Sequence, residues 1–382
     1  MPVRKRKTAN NDEKDAADTQ TENKPKANQQ KKVSVFGSCF RVFKYIIIVL
    51  LIPPFLNYAA LQHEIRFVKL PGIQYDIGRG QKLHLYCRGK GSPTVILEAP
   101  AATSSDIWHS IQREISKVTT VCSYDRAGLG FSERPYSTIN MTDEKKEWKR
   151  DEQFTVERMA LDLHQLITGS SQQPKPFVLV GAGLGASISR FYAQMFEEEV
   201  AALLLISPLS EELVNEKSWN DYWVTKVLFK QRMKQLSAAS GLTRLGLLLN
   251  LIKLPEIPAN IDMERRYKHL LCQPRHLASG SDEIANFNTS MSQIDSVFKI
   301  KPFSSKIMVT LLDGEPFDGE LHKIQKKCVE KLTLRHRNST LVPVKTNDVI
   351  GNSPGLIVKH VNNAVEYTKK TKTVSSTNFV KS

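Results

Sequence analysis

Short apolar segments recur along the chain between residues 67 and 368, with amphipathic segments between them. Nearly continuous apolar runs of strand length are typical of strands covered on both faces, as in a parallel sheet with crossover helices. The predicted strands are 82–87, 93–98, 119–124, 176–180, 202–207, 306–312 and 339–344, and the predicted helices are 107–116, 155–167, 184–196 and 354–367. The sequence therefore predicts an α/β domain with a mostly parallel sheet and helices on both of its faces.

This alternation breaks between residues 208 and 305, where mostly helical patterns such as WVTKVLFKQRMKQL replace it. Because strands resume at residue 306, we interpret 208–305 as a helical cap inserted over the edge of the sheet. The core of the domain then has two parts, 67–207 and 306–368. For the apolar stretch 242–252 three roles stay open: lining a pocket beneath the cap, lying on a membrane surface, and plain core packing.

The first 32 residues are rich in Lys, Asn, Gln, Asp and Thr and nearly lack apolar side chains. Such a segment cannot bury enough surface to offset the entropy that it would lose on ordering. We therefore predict a disordered basic tail over 1–32, and a second disordered tail over 369–382.

An apolar run of 17 residues, YIIIVLLIPPFLNYAAL, covers Tyr45–Leu61. As a helix it is about 26 Å long, near the lower limit for spanning a bilayer core, and Arg41 and Lys44 can snorkel so that the span starts upstream. We predict a transmembrane anchor over 33–62, with a cleaved signal peptide and an interfacial helix as the alternatives. Basic residues crowd its N-terminal side, so the positive-inside rule predicts a single-pass type II protein whose main domain is lumenal or extracellular.

The formal net charge is +15, of which +6 lies in residues 1–44, and the rest is spread without a dense basic block. The sequence shows neither zinc-finger spacing nor interleaved aromatic and basic residues, so nucleic acid is not a predicted partner. Five scattered cysteines are too few for a disulfide-framed miniprotein or a metal cluster, and we predict no metal and no cofactor. The Asn-x-Ser/Thr triplets at Asn140, Asn288 and Asn338 are candidate glycosylation sites of a lumenal domain.

Four segments resemble motifs of the α/β-hydrolase superfamily. Residues 122–135, CSYDRAGLGFSERP, are similar to the strand-and-turn signature that precedes the nucleophile in that family. Residues 83–89 and 92–98 are similar to its opening hairpin and third strand, and residues 176–185, PFVLVGAGLG, stand where its nucleophile elbow is expected. The resemblance covers 67–368, about four fifths of the chain. It implies the α/β-hydrolase fold.

The elbow of that family, G-x-S-x-G, presents a serine hydroxyl above the sheet on a strained strand-to-helix turn. Here the five residues are GAGLG, so Gly183 occupies the nucleophile position and has no side chain to attack with. Ser187 and Ser189 follow on the next helix and are expected to point away from the substrate. A phosphate-binding loop is an alternative for the glycine-rich turn, but the spacing fits neither the Walker nor the full dinucleotide pattern.

The resemblance places a general base in the loop after the last strand, which here reads KTNDVIGNSP over 345–354. This loop contains no histidine, and Asn347 or Asp348 fills the matching place. His336 precedes the last strand and His360 lies on the following helix, so neither is expected at the site. Without an imidazole the usual proton shuttle is absent.

The acid and the oxyanion hole are the remaining parts of the family's site. Asp313 and Asp318, after the strand 306–312, are candidates for a relic acid, with an ordinary turn as the alternative. The resemblance assigns the oxyanion-hole N–H groups to Leu184 and to the loop after the third strand. Pro100 in that loop has no N–H, so Ala101 is the remaining donor, and an anion-binding pocket can survive without the chemistry.

These positions lead to a first hypothesis of a membrane-anchored pseudo-hydrolase, which keeps the fold to bind a lipid-like or other apolar ligand, or a protein partner. The alternative is an active lipid or ester hydrolase with a non-standard site. A third hypothesis is a protein-binding domain similar to the neuroligin-type inactive members of the fold.

Overall fold

The computed structural model describes residues 35–78, 80–135, 153–170, 173–252, 254 and 261–379. The chain divides into two compact units, 1–48 and 49–382. The described residues of the second unit contain one eight-stranded sheet, with the strands β1 (Ile73–Asp76), β2 (Lys82–Arg88), β3 (Thr94–Glu98), β4 (Val121–Tyr124), β5 (Phe177–Ala182), β6 (Val200–Ile206), β7 (Met308–Asp313) and β8 (Ser339–Pro343). The helices are α1 (Val35–Glu64), α2 (His109–Ile115), α3 (Val156–Ser170), α4 (Leu184–Met195), α5 (Lys217–Tyr222), α6 (Phe229–Ala239), α7 (Leu242–Leu248), α8 (Ile261–Cys272), α9 (Pro274–Ala285), α10 (Phe287–Ile300), α11 (Gly319–Arg335), α12 (Val349–Asn352) and α13 (Pro354–Phe379).

The strand order across the sheet is β1-β2-β4-β3-β5-β6-β7-β8. The pairs β1·β2 and β2·β4 are antiparallel, and every other neighbouring pair is parallel. The predicted mostly parallel α/β sheet is therefore confirmed. Strand β1 was not predicted, because its four residues, IQYD, are mostly exposed and show no apolar run.

Two hydrophobic cores lie on opposite faces of the sheet, and side chains alternate between them along each central strand. In β3, Ile96 packs into one core while Val95 and Leu97 pack into the other. In β5, Leu179 and Val180 divide in the same way. This two-sided burial explains why the strands appear in the sequence as continuous apolar runs.

The described elements between β6 and β7 are helical. A π-helix, Trp223–Leu228, leads from α5 into α6, and α6 packs against α9. The last of these helices, α10, packs on α3 and α4 beside the sheet. We call the segment between β6 and β7 the helical insertion; it carries the residues that cover the elbow described below.

Helix α1 contains the predicted anchor. Its segment Phe40–Glu64 is long and apolar enough to cross a membrane, and most of that segment is exposed. Pro53 and Pro54 lie inside the helix without ending it. The last helix, α13, continues to Phe379, into the segment that composition predicted to be a disordered tail from residue 369. No glycine or proline interrupts residues 356–379, so nothing local stops the helix where apolar burial ends.

A disulfide joins Cys87 to Cys122. The two residues are register partners on the antiparallel strands β2 and β4, which places their side chains side by side. Cysteine spacing alone gave no reason to expect this pair, because the two residues are 35 positions apart and meet only through the strand register. Cys272 and Cys328 are free and buried.

Candidate active site

Strand β5 passes into helix α4 through a tight turn whose glycines have different roles. A Cβ atom on Gly181 would lie 2.3 Å from the carbonyl oxygen of Gly185. A Cβ atom on Gly185 would lie 2.5 Å from the carbonyl oxygens of both Ala99 and Glu98. These two positions therefore require glycine because neighbouring backbone approaches too closely for any side chain.

Gly183 differs from both of its neighbours in the motif. Its backbone has φ 54° and ψ −115°, in the positive-φ region that side chains rarely adopt. The nearest atom to a Cβ placed there would be Cβ of Pro100, at 4.0 Å, so the space for a side chain is open. The turn thus keeps the strained shape that presents a nucleophile, while the residue at its tip presents only hydrogen.

A cavity of about 290 Å³ lies directly above this turn. It brings together Gly183, Asn347 and Asp348, the residues that the resemblance assigned to the nucleophile and base positions. Most of its other lining residues are apolar: Pro100, Ala101, Ala182, Leu184, Ile206, Leu209, Trp223, Pro316, Phe317, Val349 and Ile350, together with Ser207. No histidine lines this cavity in the part of the chain that the structure describes.

Asp348 has a local structural role. It precedes α12, and its Oδ1 accepts a hydrogen bond from the N–H of Gly351 at 3.0 Å. This is a helix N-cap, which satisfies one of the otherwise unpaired N–H groups of the first turn. Asn347 is exposed beside it. The two residues that the resemblance assigns to the base position are thus a capping carboxylate and an exposed amide.

The candidate oxyanion residues Ala101 and Leu184 both line the cavity. The loop that carries Ala101 is fixed by Arg126, whose guanidinium donates to the carbonyl oxygens of Ala99 (2.7 Å) and Pro100 (2.8 Å). Ala102 has a positive φ of 57°. The carbonyl oxygens of Ala99 and Pro100 are thus held toward the buried guanidinium of Arg126.

Arg126 is the centre of a buried charge network that sequence inspection missed. It contacts the carboxylates of Glu98 at 2.6 Å and Glu283 at 2.7 Å, and all three side chains are almost fully buried. Burial alone would lower the pKa of Arg126, but the two carboxylates hold it above its ordinary value. Glu283, on α9, also accepts a hydrogen bond from the N–H of Ala102 at 2.8 Å. The helical insertion is therefore bound directly to the loop over the cavity.

The two candidate acids do not line the cavity. Asp313 ends β7, and burial raises its pKa to about 6. Asp318 is exposed and precedes α11. Neither carboxylate has a histidine at hydrogen-bonding distance among the described residues, so nothing there requires an orienting acid.

The alternative nucleophiles and histidines also lie outside the cavity. The hydroxyl of Ser187 donates to the carbonyl of Leu209 at 3.2 Å, and Ser189 is buried inside α4. His336 is buried against Phe303, with ring centroids 4.4 Å apart, and burial lowers its pKa to about 3. His360 lies half-buried on α13.

Ser207 is a cavity residue that the sequence analysis did not single out. It follows β6 with a positive φ of 42°, which is uncommon for a residue other than glycine. Its N–H donates to the carbonyl of Leu312 at 2.8 Å, and it lines the cavity together with Gly183. Its place at the end of an apolar run gave no signal, because any strand end can carry a serine.

The described residues contain no group of three or more His, Cys, Asp or Glu side chains arranged to hold a metal ion. Of the candidate glycosylation sites, Asn288 and Asn338 are exposed, and Asn140 lies outside the described residues.

Comparisons with known proteins agree with this geometry. A family model of the alpha/beta hydrolase fold matches residues 93–250. The chain is 25% identical over 121 residues to "Uncharacterized protein YqjL" of Bacillus subtilis, covering 32% of this chain and 42% of that protein. It is 27% identical over 156 residues to an "AB hydrolase superfamily protein" of Gibberella zeae, covering 39% of this chain and 44% of that protein. The matches thus span less than half the length of these relatives.

Among solved structures, the Vigna radiata epoxide hydrolase mutant is similar, with a TM-score of 0.56 and 16% identity over 78% of this chain and 98% of that chain. The chain has the α/β-hydrolase fold. In this chain the turn between β5 and α4 carries Gly183, and the loop after β8 carries Asn347 and Asp348. At this level of identity the likeness shows the fold, and the activity has to be argued from the site.

Proposed function

We propose that this protein is a membrane-anchored pseudo-hydrolase, which binds a small apolar, lipid-like ligand in the cavity above Gly183 and does not hydrolyse it. The observation that carries the proposal is the elbow itself. Its two spacing glycines are sterically required, whereas Gly183 has room for a side chain and carries none. Attack on a carbonyl needs a nucleophile, and an efficient attack by a hydroxyl needs a base near it.

The lining of the cavity supports the choice of ligand. Its side chains are mainly apolar and aromatic, and ligand pockets of this kind are typically mostly apolar with few polar groups. The N–H groups of Ala101 and Leu184 belong to the two cavity segments that form an oxyanion hole in the family. A fatty acid or a similar molecule with one polar head matches this combination.

The proposed orientation is type II, with the domain lumenal or extracellular. The Cys87–Cys122 disulfide supports it, since such bonds persist in oxidising compartments and are rare in the cytosol. The exposed Asn288 and Asn338 can carry glycans in this orientation. Mapping glycans on the full chain expressed in animal cells tests the topology, and glycosylation of neither asparagine together with reduced Cys87 and Cys122 contradicts it.

Ligand binding can be measured through Trp223, which lines the cavity. We expect medium-chain fatty acids to change the tryptophan fluorescence of the full chain in detergent, in a saturable way. Trp223→Phe should remove most of that change, whereas Trp108→Phe, which alters a tryptophan outside the cavity lining, should keep it. Saturation that persists in Trp223→Phe but is lost in Trp108→Phe contradicts a ligand in this cavity.

A second candidate function, an active hydrolase with a non-standard site, is favoured by one observation. Ser207 lines the cavity in a strained backbone conformation, and strained residues cluster at functional sites. In this case a fluorophosphonate probe labels the wild-type protein, and Ser207→Ala abolishes the labelling. Under the pseudo-hydrolase proposal both proteins remain unlabelled.

A further inference from the structure

The last turns of α1 contact the helical insertion. Asn57 is 2% exposed, and its side-chain amide donates to the carbonyl oxygens of Ala238 (2.9 Å) and Cys272 (3.0 Å). At the end of the helix, Glu64 pairs with Arg244 at 2.5 Å. Helices α6, α7 and α8 are therefore attached to the part of α1 that precedes the sheet domain.

These contacts reach some way back along the candidate membrane span, Phe40–Glu64. Asn57 precedes Glu64 by about 10 Å along the helix axis. A Cβ atom on Gly241 would lie 2.3 Å from the carbonyl oxygen of Pro53, which is about 16 Å from Glu64 along the same axis. The interfacial layer of a bilayer is only about 5–8 Å thick on each side. When α1 spans the membrane, the insertion around Gly241 therefore lies at membrane depth or directly against the interface.

The surface of the insertion at this place is apolar. We call residues 242–252 the leucine segment; Leu248 is 74% exposed and Leu251 76% exposed. The other exposed apolar side chains of the leucine segment are Leu242, Leu245, Leu249 and Ile252, and those of α6 are Phe229, Met233 and Leu236. Nine exposed apolar side chains within residues 229–252 are more than the single exposed residues of an ordinary surface, and they indicate an interaction surface.

Three lysines lie next to this surface. Lys226, Lys230 and Lys234 line a second cavity, of about 770 Å³, beside the loop Ala101–Thr103. None of the three forms an ion pair among the described residues. Partial burial and the charge of Lys230 lower the pKa of Lys234, so the cations are close enough to repel each other. Along the helix that ends at Ala239, the three lysines lie about 6–18 Å before Ala238, whose carbonyl oxygen contacts α1. An anion in this cavity would relieve the repulsion.

We propose that the leucine segment inserts into the outer surface of the bilayer and that Lys226, Lys230 and Lys234 bind the phosphate of an anionic lipid headgroup in the adjacent cavity. This proposal rests on the proposed membrane anchoring, but concerns a surface and a cavity separate from the one above Gly183. A bilayer is favoured over a second copy of the chain because α1 already brings this face to the membrane. In addition, each copy carries a net charge of +15, so two copies that met through this surface would bring their Lys226, Lys230 and Lys234 side chains together and repel each other.

The test uses the full chain in nanodiscs of phosphatidylcholine, alone or mixed with phosphatidylglycerol, with a trace of lipid that carries a photoreactive group in its acyl chain. We expect photo-adducts on the leucine segment and none around Leu334, an exposed leucine at the end of α11. Leu248→Glu combined with Leu251→Glu should reduce labelling of the segment, whereas the matched change Leu334→Glu should not.

The charge arm compares two triple variants that lose the same charge. Each lysine at an anionic surface changes the affinity for an anionic lipid about fivefold. The first triple variant combines Lys226→Gln, Lys230→Gln and Lys234→Gln. It should retain at least fivefold less phosphatidylglycerol than the wild type, measured by native mass spectrometry. A second triple variant replaces three exposed lysines of α11 by glutamine and should leave retention unchanged: Lys323, Lys326 and Lys327.

The outcomes separate the two proposals. A chain that does not incorporate into nanodiscs contradicts the anchoring itself. A chain that incorporates but shows equal labelling at Leu334 and in the leucine segment, or equal lipid retention in both triple variants, overturns only this inference. Cross-linked dimers through the leucine segment would also overturn it, in favour of a second copy as the occupant.

Discussion

The glycines of the elbow allow a quantitative test of whether Gly183 is a vacant nucleophile position or a structural necessity. In Gly183→Ala the new Cβ meets nothing closer than Pro100 at 4.0 Å. Only the positive φ then lowers the free energy of unfolding, by about 1–3 kcal/mol. In Gly185→Ala the new Cβ lies 2.5 Å from the carbonyl oxygens of Ala99 and Glu98. Glu98 belongs to a strand paired with β5, so relief requires a shift of the sheet, and we expect a cost above about 4 kcal/mol.

The assay is urea unfolding of the full chain in detergent, followed by tryptophan fluorescence. Because folded proteins are stable by about 5–15 kcal/mol, both variants should still unfold cooperatively, with the urea midpoint lowered modestly in Gly183→Ala and much further in Gly185→Ala. If Gly183→Ala is as destabilising as Gly185→Ala, then glycine at 183 serves the fold. The argument that a nucleophile was lost from an intact scaffold would then fail.

Three further predictions are each measured by the same unfolding assay. Asp348→Ala removes the cap of α12 and should cost about 1 kcal/mol, whereas Asn347→Ala should cost almost nothing; equal costs would contradict the capping role. Cys87→Ser with Cys122→Ser opens a loop of 35 residues and should cost about 2–4 kcal/mol, and a cost near zero would contradict the disulfide. His276 is buried on α9, where its Nδ1 accepts a hydrogen bond from the N–H of Gly130 at 3.0 Å. Burial lowers the pKa of His276 to about 4, so the stability that its neutral form contributes is full above about pH 6.5 and is lost as the pH falls toward 4. His276→Asn should recover about 2 kcal/mol of that loss near pH 5, and an unchanged pH profile would contradict it.

The fold followed from the sequence because burial on both faces of the central strands leaves a strong local signal. The strands β3 and β5 are continuous apolar runs, and the spacing glycines Gly181 and Gly185 mark the turn between β5 and α4. The convergence of Gly183 with Asn347 was expected only through the resemblance, since 164 residues separate them along the chain. Both residues line the same cavity, and their assignment to one site stays a prediction.

Features that depend on long-range packing could not be predicted. Arg126 and Glu283 are 157 positions apart, and their pairing requires the insertion to fold back over the sheet. The Cys87–Cys122 pair depends on a register that no local pattern specifies. Asn57 lies within the predicted anchor, yet the helical insertion buries it. Its amide needs hydrogen-bond acceptors that an apolar helix does not offer, and the carbonyl oxygens of Ala238 and Cys272 supply them.

Under the pseudo-hydrolase proposal, none of the described residues that line the cavity above Gly183 attacks an ester. Intact-mass analysis of the full chain after exposure to a fluorophosphonate tests it most directly, with Gly183→Ser plus Asn347→His as the companion variant, which keeps the Asp348 cap. We predict an unmodified wild-type mass and, in the companion, a single adduct on the serine introduced in place of Gly183. A stoichiometric adduct on any serine of the wild-type cavity would contradict the claim.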